Sequence, residues 1–128
     1  MHIACAREAI ARNYSSRVVL ACLLHDGSEA YLSDITRPVK GELSEYRRIE
    51  KNMQNAIYVR FLGQIPSDEE MSQITDIDNA CLYYEFDHYM GEKLMEQAPL
   101  LVTDPAFETL PFAQVEQEFL DLFATLTV

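Results

Sequence analysis

The chain has 128 residues, 48% hydrophobic and 24% charged, which is the size and composition of one globular domain and excludes general disorder. Ten Lys plus Arg against 21 Asp plus Glu leave a formal net charge of −11, which repels phosphate backbones and argues against a nucleic-acid polymer as partner. Small anionic substrates stay open, provided a metal ion supplies local positive charge.

The chain opens without an apolar leader: Arg7, Glu8 and Arg12 sit where the core of a signal peptide would lie. Residues 2 to about 13 instead carry a helical pattern, with Ile3, Ala6, Ala9 and Ile10 on one side. Ser15 or Ser16 caps a second helix that runs to Leu24. Its apolar run, Val18 to Leu24, is all-round hydrophobic and therefore expected to be buried. It is far shorter than the roughly 20 residues of a membrane span, so no membrane contact is expected.

Gly27 and Pro38 punctuate the stretch that follows. A third helix is expected over about 43–62, with Leu43, Tyr46, Ile49, Met53, Ile57 and Phe61 at three- and four-residue steps and Gly63 as the stop. Ser67 and Glu70 form a capping box that opens a fourth helix reaching about Met95. Pro99, Pro105 and Pro111 break the chain again. A last amphipathic helix, about 112–126, carries Phe112, Val115, Phe119, Leu120 and Phe123. The fold class expected is all-α: residues 1–128 as a single helical bundle of about five to six helices. Cys5, Cys22 and Cys81 lack paired spacing and read as buried, reduced thiols. With no signal or span seen, a cytoplasmic location is expected.

Two stretches break the apolar pattern. The second helix runs into His25-Asp26, with Glu29 one turn further on. Acidic and imidazole groups beside a dry core must pair, bind a metal or reach solvent at the helix end. The fourth helix places Asp78 and Glu85 in the seam expected from Met71, Ile74, Cys81 and Tyr89. Asp76 and Asp87 fall off that seam, and His88 reads as surface. His2 shares a helix face with Cys5, Ala6 and Ala9, small residues that permit close helix approach. Asp34 opens a turn.

Taken together, His2, His25-Asp26 and Asp78 spell H…HD…D, which resembles the HD-domain phosphohydrolase superfamily. Residues Leu23 to Lys40 are similar to the LLHDxxEAYxxDxxxPxK signature of its 5′-deoxynucleotidase-like branch. Ile77-Asp78-Asn79-Ala80-Cys81-Leu82 resembles that branch's ADxxL segment, with Ile77 in place of Ala. The resemblance covers about residues 2–90 and leaves a helical tail, 99–128, outside it.

The resemblance implies metal ligation by His2, His25, Asp26 and Asp78, with Glu29 acting at the attacking water and Asp34 at the leaving group. It also implies a homodimer. Two imidazoles and two carboxylates suit Mn, Fe, Co, Ni or Zn as the divalent cofactor. Arg37 and Lys40 are the nearest cations in sequence for holding phosphate. The expected activity is metal-dependent hydrolysis of a small phosphomonoester such as a nucleoside monophosphate. Members of that branch carry a segment before the first histidine that is not in this chain. The alternative is therefore a catalytically weak HD domain serving as a metal- or nucleotide-binding regulatory module.

Overall fold

A computed structural model describes residues 2–27, 43–91, 98–103 and 111–127, and of His2 the backbone alone. Among the described residues the chain forms five helices and no strand. They are α1 (His2–Ala11), α2 (Ser16–Leu24), α3 (Ser44–Leu62), α4 (Asp68–Met90) and α5 (Phe112–Leu126).

Helix α2 is the axis of the bundle. The Ser15 side chain accepts from the Val18 N–H at 3.2 Å and caps its start. Every residue from Val18 to Leu24 is buried, so α2 has no solvent face, and α1, α3, α4 and α5 all pack on it. Burial of each large side chain here contributes roughly 1.5–3 kcal/mol. Cys5, Ala6 and Ala9 let α1 approach α2 closely and are themselves buried.

Helix ends follow local chemistry. Helix α1 stops at Ala11, two residues earlier than its pattern implies, because Asn13 turns left-handed at φ 60° and its N–H returns to the Ile10 carbonyl at 3.0 Å. Gly63 ends α3 at φ 84°, a conformation that costs a glycine little. The Ser67–Glu70 capping box is formed in both directions and opens α4. Gly91 ends α4 at φ 68°, short of the expected Met95, which lies outside the described residues.

The apolar faces of four helices differ from their expected stripes. On α3, Ile49 and Phe61 are exposed, and Tyr58, which the stripe omits, is the buried residue. Phe61 instead meets the Phe123 ring edge-on at 5.4 Å, at the margin of α5. On α4 the buried face is Ile74, Ile77, Ala80, Cys81 and Tyr83, whereas Met71 and Tyr89 are exposed. On α5, Phe119, Leu122, Phe123 and Leu126 pack on the core, and Phe112 is 82% exposed. On α1, Ile10 is exposed.

Two polar joints lock the bundle. Arg17 at the start of α2 donates to the carbonyls of Leu62 at 2.6 Å and Gln64 at 2.9 Å and pairs with Glu70 at 2.9 Å, tying α2 to the α3–α4 turn. Glu8 on α1 is fully buried, which a carboxylate tolerates only when paired and hydrogen-bonded. It accepts from the N–H groups of Val102 at 2.9 Å and Thr103 at 2.8 Å, the Thr103 hydroxyl at 2.8 Å and Arg12 at 2.7 Å. Arg12 also donates to the Leu100 carbonyl at 2.6 Å, so segment 98–103 is fastened along α1.

Candidate metal and anion site

The C-cap of α2 is His25, in a right-handed helical conformation that carries its ring off the end of the buried run. Nδ1–H donates to the Cys22 carbonyl at 2.8 Å, one of the orphan carbonyls of the last turn. That bond fixes the ring and turns Nε2 towards two carboxylates. Asp78 of α4 presents Oδ1 at 2.9 Å and Asp26 presents Oδ2 at 3.1 Å. The Gln54 side chain donates to the Leu24 carbonyl at 2.8 Å and holds α3 against the same helix end.

The imidazole side chain is only 8% exposed. Burial alone would lower its pKa. The hydrogen bonds and charges of Asp26 and Asp78 outweigh burial and raise it to about 10. In the metal-free chain His25 is therefore an imidazolium at neutral pH, donating from Nε2 to both carboxylates. The proton occupies the point where a nitrogen and two oxygens converge, which is the donor chemistry of a divalent metal site.

Next to this cluster lies the buried thiol of Cys5 from α1. Its sulfur, a nitrogen of His25 and a carboxylate oxygen of Asp78 lie within 4.8 Å of one another. A hydrogen bond with Cys81, followed by burial, pushes the Cys5 thiol up, so it is protonated when no metal is present. Burial pushes Cys22 up to about 12. All three cysteines are free and buried, as their spacing implies.

His25, Asp26 and Asp78 line a cavity of about 690 Å³ that runs along one face of α3. Tyr58 and Gln54 flank the histidine end, and Lys51 and Arg47 follow towards the N-terminus of α3. From Tyr58 to Arg47 the helix rises roughly 16 Å. Arg48 also lines the cavity and pairs with Glu45 at 2.8 Å. Among the described residues no ion pair holds Arg47 or Lys51. On the α3 wall of the cavity Arg47 and Lys51 stand beside one acid, Glu50, so in a chain of net charge −11 that wall is locally cationic.

Three of the four expected ligands, His25, Asp26 and Asp78, meet as the motif implies. The backbone of His2 opens α1 one turn before Cys5, and its side chain lies outside the described residues. Glu29, Asp34, Arg37 and Lys40 also lie outside them. Glu85 is half-buried further along α4, and Asp76 and His88 are exposed as expected. Sequence reasoning missed Cys5 and the Arg47–Lys51 pair. The pair's spacing of four is visible in the sequence, but it lies on a face adjacent to the apolar stripe of the third helix, not on the stripe itself.

No protein-family profile, curated protein or solved structure matches this chain.

Proposed function

We propose that the protein is a metal-dependent phosphohydrolase acting on a nucleoside monophosphate or similar small phosphomonoester. The observation that carries the reading is His25 Nε2 between Asp26 and Asp78, at the head of a cavity whose other wall bears Arg47 and Lys51. A divalent cation held by His25, Asp26 and Asp78 fits the donor set, and His2 is assigned as the fourth ligand. When bound, the ion supplies the positive charge that polarises a phosphoryl oxygen and activates the attacking water.

The chain's own groups do the rest. Nδ1–H of His25, held by Cys22, keeps Nε2 aimed inward. Glu29 is assigned to take the proton from the attacking water and Asp34 to protonate the departing alkoxide oxygen as the P–O bond breaks. Lys51 and Arg47 offset the charge of the phosphate, which the acidic surface otherwise repels.

The test is phosphate release from a panel of nucleoside monophosphates and sugar phosphates by metal-loaded protein, with His25→Ala as control. Release that disappears in the control supports the reading. A metal-loaded, folded protein that releases nothing leaves the binding-module alternative in its place.

A further inference from the structure

We infer that Cys5 is a ligand of the same ion, making this a mixed sulfur, nitrogen and oxygen site that selects a thiophilic metal such as zinc. The inference rests on the metal-site reading of His25 and Asp78. Three different donors arrive from three separate helices: Cys5 from α1, His25 from the end of α2 and Asp78 from α4. Their donor atoms lie within 4.8 Å of one another. On a tetrahedral ion with Zn–S of about 2.3 Å and Zn–N or Zn–O of about 2.0 Å, the sulfur lies roughly 3.5 Å from each of the other two donors. The trio therefore closes onto an ion by donor shifts of no more than about 1.3 Å.

The surroundings suit a thiolate ligand. Cys5 is buried among Ala6, Ala9, Cys22 and Cys81, where a lone thiolate has no water to stabilise it but a metal-bound one is neutralised. His25 already has its outer partner in the Cys22 carbonyl. The functional consequence is selectivity. Without Cys5, two carboxylates and an imidazole admit Mn²⁺ readily, whereas a thiolate shifts preference to Zn²⁺ and Co²⁺.

The experiment is Co²⁺ reconstitution of the full chain followed by ultraviolet and visible absorption. The expected result is a sulfur-to-cobalt charge-transfer band in the near ultraviolet. It should persist in Cys22→Ser and Cys81→Ser and vanish in Cys5→Ser, with metal affinity falling by more than about tenfold, the loss that even an outer-shell partner can cause. Visible cobalt bands without charge transfer would overturn the Cys5 assignment while leaving a nitrogen and oxygen site intact. No bound cobalt at all would overturn both. Should Cys5→Ser not fold, ¹¹³Cd resonance of the wild-type chain decides. A shift in the sulfur-ligated range supports the assignment, and one in the nitrogen and oxygen range overturns it.

Discussion

His25 Nε2 and Asp78 Oδ1 lie 2.9 Å apart although 53 residues separate them in the chain. The contact joins the end of the most buried helix, α2, to the middle of α4. An acid in that position is costly unless it is paired, and the pairing explains why Asp78 is tolerated between Ile74, Ile77 and Cys81.

This pairing fixes a pH dependence. The pKa of His25 is raised from its ordinary 6.5 to about 10, so its contribution to the stability of the metal-free chain is complete below about pH 6.5 and is lost as pH rises through about 10. In Asp78→Asn the histidine should titrate closer to its ordinary value. Imidazole resonances followed by NMR check this, and an unchanged titration would contradict the contact. Metal affinity should show the opposite trend in the wild type, rising with pH as the ion competes with that proton.

Glu8 is a structural acid and not part of the cavity. Glu8→Ala removes the carboxylate partner of Arg12 and the acceptor of the Val102 and Thr103 N–H groups. The expected cost is about 3–5 kcal/mol, as for other broken buried charge pairs. Burial alone would raise its pKa, but the bonds from Val102, Thr103 and Arg12 hold it below the usual carboxylate range. Its contribution is thus present above about pH 4.5 and lost as pH falls through that depressed value. Urea unfolding of wild type and variant at pH 7 and pH 3 should show the gap narrowing in acid.

Arg47 and Lys51 should act on substrate binding. Arg47→Ala and Lys51→Ala are each expected to raise KM for a phosphomonoester about tenfold, equivalent to one charge-assisted contact of about 1.4 kcal/mol. The kcat should change little, since the contact is made equally in ground and transition states. Steady-state kinetics separates the two parameters. Unchanged KM in both variants would remove the cationic wall from the account.

The helix starts and stops were largely legible, because Ser15, Gly63, Ser67 and Glu70 act through local hydrogen bonds and local backbone angles. The burial of α2 was legible for a different reason: an all-round apolar run has no polar face to expose. The faces of α3 and α5 were not. Both have more apolar residues than one stripe needs, and only tertiary contacts choose between Phe61 and Tyr58 or between Phe112 and Phe119. In the site, the His25, Asp26 and Asp78 trio was legible from acids interrupting apolar patterns. Cys5 was not, because a small thiol on a small-residue face looks the same in a core as at a metal.

The central claim is that His25, Asp26 and Asp78 hold a divalent ion, and metal analysis of the purified chain tests it most directly. After reconstitution with Zn²⁺, Co²⁺ or Mn²⁺ and removal of excess, elemental analysis should find about one ion per folded chain. His25→Ala and Asp78→Ala should find none. A folded wild-type chain that retains no ion from any of the three, or variants that retain it as well as the wild type, would contradict the account.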